Sequence, residues 1–421
     1  MRFAPRLASL LAVALVAGAA LGVEADWALG RPAPPPDAAG PPPTVTATPQ
    51  PTAAKSAPPA AIEQLTVTLA FGGDLLTHQP VNRSAAAGGD YDFTPLLAGV
   101  DPWIQGADLA ICQLEVPLAP PGQAPTGYPL FAAPAALARD LAEQGWDGCT
   151  TSSNHSLDQG WAGVRHTIET LTANGLGYAG TALSAADSEL PQLYRLTLGA
   201  ESITVAHIAF TYGTNGLPLP AGQPWCVNTP IALDRVVAQA AAARAAGADI
   251  VVAAIHAGVE YRTTPTAEQR EIAQRLAASG LIDAMIGDHP HVAEPIELVP
   301  GGVDGNGMWT IYSMGNFLSN QTDAVVGPNT DTGAVVYLTA AKGPAGAAVT
   351  AMTWAGVTVD AAHGHRVQML QDATAEGSLG QLGADAVALR YGRLRDILGA
   401  APEQLAPPEP SGAALEVLPR G

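Results

Sequence analysis

Two imidazoles one residue apart, His289 and His291, flank Pro290 just past the apolar run from Ile282 to Ile286, and imidazole is the commonest metal ligand at neutral pH. A ligand carried on rigid backbone at the end of a buried strand cannot drift. Other apolar segments end in the same way. Thr66 to Phe71 leads to Gly72-Gly73-Asp74, Ala107 to Cys112 leads to Gln113-Leu114-Glu115, the strand around Gly148 to Thr151 opens into Ser153-Asn154-His155, and Asp249 to Ile255 runs into His256. Asp74, Glu115, Asn154, His256, His289 and His291 are therefore the candidate metal ligands. Nitrogen and oxygen donors without thiolate suit Mn, Fe or Zn rather than Ca. His155 has the chemistry of an acid facing substrate. Asp158 is expected first to cap the helix after it and second to orient His155. The expected substrate-side residues are Glu260, Tyr261, Arg262 and Asn316, with Arg262 as an anion clamp.

The elements that must carry these groups alternate strand with helix. Helical patterning covers Pro134 to Gln144 and a segment carrying Ile168 and Leu171 that ends near Gly175. An alanine-rich helix spans Ala232 to Ala246, a further helix starts at Thr264-Pro265 and stops at Gly280, and another covers Ala384 to Leu398. A hairpin is expected from Tyr194 to Leu198 and Ile203 to Phe210, and the loop from Thr211 to Gly216 reads as a surface turn. Strands are expected to end in a turn at Gly72-Gly73. The run from Asp249 to Ile255 is apolar throughout, the pattern of a strand covered on both faces. His78 reads as a surface residue that could reach the same cleft, His207 as a core residue, and His363 with His365 as a polar turn.

Composition sets the bounds. The chain has 421 residues, 48% hydrophobic, with net charge −19 and only 19 Lys and Arg, which excludes a nucleic-acid groove. An anionic substrate must then be neutralised by metal ions or by a local basic cluster. Arg2 and Arg6 precede the apolar stretch Leu7 to Val23, an export signal whose length leaves both cleavage and membrane anchoring open. The expected organisation is a signal or anchor over 1–25, a Pro/Ala/Thr-rich spacer over 26–63, a catalytic-size domain over 64–345, and a strand, helix and Pro-containing tail over 346–421. Cys112, Cys149 and Cys226 leave at least one thiol free; Cys112 and Cys149 read as buried small hydrophobes, with pairing left open.

Taken in order, Gly73-Asp74, Gln113-Leu114-Glu115, Ser153-Asn154-His155 with Asp158 and Gly160, His256 to Tyr261, His289-Pro290-His291-Val292 and Tyr312 to Phe317 resemble the CapA family of capsule-synthesis, or poly-γ-glutamate biosynthesis, proteins. That family looks like calcineurin-type metallophosphoesterases. The resemblance implies an α/β fold with a four-layer α/β/β/α sandwich, and an extracytoplasmic, secreted or membrane-anchored protein. It also implies a role with an anionic polymer such as poly-γ-glutamate and with membrane synthetase components. Asp74 and His291 would hold one divalent ion, Asn154, His256 and His289 a second, and Glu115 would bridge, with His155 protonating the leaving group. This sequence has Asp288 where the family commonly has another histidine, and it lacks the Asp-x-His step of metallophosphoesterases proper, which implies one weakened metal position. Two other readings of the same residues are a non-catalytic polymer-binding or synthetase-scaffolding surface protein and a periplasmic metallophosphoesterase unrelated to capsule.

Overall fold

The structure, a computed structural model, describes residues 64–420. The expected export segment and Pro-rich spacer lie outside the described residues. In chain order, β1 (Leu65–Leu75), α1 (Gln79–Ser84), the small hairpin β2 (Ala86–Ala87) and β3 (Asp90–Tyr91), α2 (Thr94–Leu97) and α3 (Asp101–Gln105) lead to β4 (Leu109–Leu114). Next come α4 (Ala136–Gln144), β5 (Gly148–Thr150), α5 (Gly160–Ala173), β6 (Gly177–Ala179), β7 (Gln192–Leu198) and β8 (Glu201–Thr211). They are followed by α6 (Leu233–Ala245), β9 (Ile250–His256), α7 (Ala267–Ala278), β10 (Ala284–Asp288), β11 (Ile296–Val299), β12 (Met308–Ile311) and β13 (Asn316–Leu318). Finally there are β14 (Thr332–Gly343), β15 (Gly346–Asp360), β16 (Arg366–Met369), α8 (Ala384–Leu398) and β17 (Ala414–Leu418).

Two sheets result. The first has the order β16-β15-β14-β1-β4-β5-β6, with β13 also pairing β1, and the second has the order β11-β12-β10-β9-β8-β7-β17. Strands β1, β4, β5 and β6 are mutually parallel, as are β8, β9, β10 and β12. Side chains alternate between faces. Val67, Leu69 and Phe71 of β1 meet Ile250 and Val252 of β9 in the core between the sheets. Ala70 of β1 turns instead to the layer of α2, α3, α4 and α5, where Leu97, Ile104, Leu141 and Ile168 pack. Val251, Ala253 and Ile255 of β9 turn to Val236 of α6 and Ile272 and Leu276 of α7. The layers therefore run α/β/β/α, and the two-faced burial of Asp249 to Ile255 has the structural meaning its pattern suggested.

Several local expectations are corrected. β1 does not break at Gly72-Gly73 but continues to Leu75. The reason is crowding: a Cβ on Gly73 would lie 1.9 Å from the Gly315 carbonyl oxygen, so glycine admits a neighbouring chain rather than a turn. The helix expected from Thr264-Pro265 starts at Ala267, because Thr266 and Gln269 satisfy each other's backbone N–H groups as a capping box. Residues 346–421 hold the expected strand and the Ala384–Leu398 helix and join the rest of the fold: β15 and β16 extend the first sheet, β17 extends the second, and Leu394 and Leu398 of α8 join the core between the sheets. Cys112 and Cys149, opposite each other on β4 and β5 with Cα atoms 4.5 Å apart, form a disulfide, and Cys226 is a buried free thiol. No helix among the described residues is long and apolar enough to cross a membrane.

Candidate metal centre

The parallel strands of both sheets end at one rim, the edge at which open α/β sheets hold ligands. Asp74 lies near the end of β1, Glu115 one residue past β4, Asn154 in the turn after β5, and His256 at the last position of β9. His289 and His291 follow β10, and both occupy left-handed backbone, with φ of 102° and 59°. Such conformations cost a non-glycine residue roughly 1–3 kcal/mol and persist only where surrounding contacts hold them. Here Tyr261 donates its N–H to the Pro290 carbonyl at 2.8 Å and the Ser313 hydroxyl donates to the Val292 carbonyl at 2.8 Å.

One oxygen of Glu115 lies midway. Its Oε1 is 3.7 Å from His256 Nε2 and 3.7 Å from His291 Nε2. On one side, donor atoms of Asp74, Glu115 and His291 all lie within 4.8 Å of one another. On the other, His256 Nε2 is 2.8 Å from Asn154 Oδ1, and the His289 ring centroid is 5.1 Å from that of His256. All six residues are buried, and none of the four carboxylate oxygens of Asp74 and Glu115 receives a hydrogen bond. His291 Nδ1 lies 3.2 Å from both Asp74 Oδ2 and Asn316 Oδ1, and its Nε2 is the nitrogen that faces Glu115. A buried carboxylate without a donor is costly unless a cation meets it, so this donor set fits a divalent ion.

Without an ion, the cluster's own charges set its protonation, and His291 must give up a proton to take an ion up. Burial, then its histidine neighbours, lowers His256 well below the ordinary range, and the same causes lower His289 to about 3, so both stay neutral and able to donate a lone pair. Burial opposes charge on His291 as well, but Glu115 and Asp74 outweigh it and hold the ring up at about 9. Glu115 is raised by burial and by Asp74, although His291 pulls it down. Asp288 is raised by burial, then by Asp74 and Glu115.

Around this core, Asp158 Oδ2 sits 2.7 Å from His155 Nδ1 and accepts the Phe131 N–H at 2.8 Å. It does not cap α5, which starts from Gln159 without a side-chain cap, because the Asp158 carboxylate is turned to the His155 ring and the Phe131 N–H, both on its Oδ2. His155 thereby presents Nε2 to a cavity of about 630 Å³ that His78, Asn215, Glu260 and Tyr261 also line. Asn316, expected against substrate, is fully buried behind His291 and donates to Gln321 Oε1 and the Thr330 carbonyl. Arg262 is exposed and does not line the cavity.

Three residues outside the expected set join the site. The loop from Thr211 to Gly216 is not a bare surface turn: Asn215 Oδ1 accepts from Asn154 Nδ2 at 3.2 Å, its Nδ2 is 3.5 Å from the His155 ring, and Tyr212 packs on His289. Gln113 reaches His256 Nδ1 at 3.3 Å. Turning that amide over sets Oε1, which otherwise has no donor, against an Nδ1–H and frees Nε2 for an ion. His78 reaches the cavity, where burial lowers it to about 4. His207, as expected, is a core residue, 3.0 Å from Thr150 Oγ1, and His365 is packed between Ser84 and Asn320.

The chain resembles several known proteins. It is 30% identical over 184 residues to the PGA biosynthesis protein CapA of Bacillus subtilis (strain 168), covering 43% of this chain and 44% of that one. It is 27% identical over 183 residues to the capsule biosynthesis protein CapA of Bacillus anthracis, covering 43% and 42%. The match thus spans less than half the length of these relatives. Among solved structures, the NAD nucleotidase NadN of Haemophilus influenzae aligns with TM-score 0.43 and 14% identity over 80% of this chain and 64% of that one. The calcineurin-like phosphoesterase YfkN of Bacillus subtilis aligns with TM-score 0.39 and 13% identity, over 79% and 98%. These structural likenesses are distant, and the layer order described above rests on the two sheets themselves. The description of bacterial capsule synthesis protein PGA_cap matches residues 68–321, more than half of the sequence, and the chain belongs to that family.

Proposed function

We propose that this is an exported protein of capsule or poly-γ-glutamate biosynthesis that acts through a two-ion, hydrolase-like site. The observation that carries the reading is the convergence of Asp74, Glu115 and His291 within 4.8 Å, with both carboxylates buried and without hydrogen-bond donors. Asp74, Glu115 and His291 would hold one ion, and Glu115, Asn154, His256 and His289 the other. Bound divalent ions would supply positive charge against an anionic substrate and acidify a water. His155, oriented by Asp158, gives its Nε2 proton to the leaving atom, and Asn215 steadies both Asn154 and that ring. Export is supported by the Arg2 to Val23 segment and by the Cys112–Cys149 disulfide, a bond that persists in oxidising compartments.

The test is metal analysis of the purified full chain, followed by cleavage assays on poly-γ-glutamate and on phosphate esters with and without chelator. The expected result is bound Mn, Fe or Zn and a chelator-sensitive cleavage that His256→Ala removes. Stoichiometric polymer binding that His256→Ala leaves unchanged, without turnover, would replace this reading with a scaffold. Chelator-sensitive cleavage confined to phosphate esters would replace it with a phosphoesterase unrelated to capsule.

A further inference from the structure

The cavity beside the ligand cluster has an unusual wall for a protein that handles anions. Among its described lining residues there is no Lys or Arg. Its acidic members are Asp158, engaged by His155, and Glu260, an exposed carboxylate with no ion-pair partner among the described residues. The charge of Glu260 reaches inward: after burial, it is the next cause raising the phenols of Tyr212 and Tyr261. The rest of the mouth is apolar and open to solvent. Tyr128 is 80% exposed, Val325 66% and Leu130 48%, and Val326 and Tyr261 stand beside them. Several of the most exposed large apolar side chains of the described residues thus ring one cavity, and a concentration of that kind marks a contact surface.

From this wall we infer that the site takes a substrate with a single anionic group, held at the ligand cluster, whose leaving portion is uncharged and largely apolar, and that it rejects the interior of a polyanionic chain. The inference deepens the metal reading above and rests on it. Charge complementarity decides the occupant. Cations at Asp74, Glu115 and the histidines face the anion held at the cluster, whereas a second anion further along the substrate would meet Glu260 and hydrocarbon, with no Lys or Arg among the described lining residues. A polymer carrying a carboxylate on every unit is therefore not engaged directly, and the site takes a singly anionic precursor or attached group instead. Glu260 is the specificity residue, and Tyr128, Leu130, Val325 and Val326 form the surface on which the uncharged portion lies.

The test uses ligands that bind whether or not turnover occurs. Full-length protein is first titrated with Mn²⁺ by calorimetry, and the Mn²⁺-loaded protein is then titrated with phenylphosphonate and with 4-carboxyphenylphosphonate, which differ by one remote charge. Phenylphosphonate is expected to bind at least about tenfold more tightly, and Glu260→Gln, on an exposed side chain, is expected to bring the two within about threefold. Long poly-γ-glutamate at equal repeat concentration is expected not to displace phenylphosphonate. Equal or tighter binding of the carboxylated ligand, a gap unchanged in Glu260→Gln, displacement by the polymer, or no binding of either phosphonate to Mn²⁺-loaded protein would each overturn the inference. Failure of Mn²⁺ itself to bind is a separate readout, and it would remove the metal reading together with the inference.

Discussion

Adding Mn²⁺ to metal-stripped protein should raise its melting temperature, and Glu115→Gln should erase most of that rise. Asp74 and Glu115 bury two carboxylates whose four oxygens accept no hydrogen bond, and in the stripped fold only the His291 ring, 3.2 Å from Asp74 and 3.7 Å from Glu115, offsets their burial. An ion that binds only the folded state returns RT ln(1 + [L]/Kd), about 2.7 kcal/mol at a hundredfold excess over Kd. At roughly 2.1 cal/mol/K per residue, a folded unit of roughly 360 residues shifts by about 1.3 °C per kcal/mol, so the rise should be about 3–4 °C. Glu115→Gln removes the bridging charge while keeping the volume. Its melting point in chelator should equal or exceed that of stripped wild type, and its Mn²⁺ shift should fall below about 1 °C. Scanning calorimetry in chelator and across a Mn²⁺ series measures both. A wild-type melting point indifferent to Mn²⁺, Fe²⁺ and Zn²⁺, or a full shift retained by Glu115→Gln, would refute the reasoning.

Other consequences are independent of the site. Burial raises Asp147 to about 7, against which the Ala110 N–H bond works. A carboxylate with a raised folded pKa contributes stability that is complete below its unfolded value near 4 and is lost as pH rises through about 7. Denaturant melts should therefore find Asp147→Asn equal to wild type near pH 4 and roughly 2–4 kcal/mol more stable at pH 8. Cys112→Ser with Cys149→Ser opens a loop of sequence separation 37 and should cost about 3–4 kcal/mol, read as a matching loss of stability when wild type is melted in reductant. Arg420 is 3% exposed, pairs with Asp187 Oδ1 at 3.1 Å and donates to the carbonyls of Tyr178, Thr181, Asp187 and Leu190. Arg420→Ala should cost about 3 kcal/mol and speed amide exchange in β17 ahead of the remaining strands.

The sequence carries the ligand positions plainly because each follows an apolar run, and a strand buried on both faces has few ways to end except at the rim. Asp74, Glu115, Asn154, His256 and the His-Pro-His step are readable for that reason. The partners that orient them are not. Gln113 lies inside β4 and looks like any strand polar residue until its neighbour across the sandwich is known, and Asn215 sits in a loop whose composition suits a turn equally well. Asp158 satisfies the sequence rule for a helix cap, yet its carboxylate turns to the ring three residues before it and to the Phe131 N–H, which both meet its Oδ2. Pairing of Cys112 with Cys149 depends on the register of β4 against β5, and the closure of the second sheet by β17 depends on a contact made across more than two hundred residues. Neither leaves a local trace.

The segment from β12 to β13 leaves the second sheet and joins the first, pairing Asn316 with Asp74 as it does so. Each proposed ion position likewise draws ligands from both sheets: Asp74, Glu115 and Asn154 from one, His256, His289 and His291 from the other. The rim is thus a rivet through two plates that elsewhere meet mainly through oily side chains, with a few polar contacts such as Thr150 with His207 and Lys342 with Asp249. Shear between the plates would pull the rivet's holes out of line before it disturbed any hydrogen-bond ladder, so ligand geometry at the rim reports on how the whole sandwich is seated.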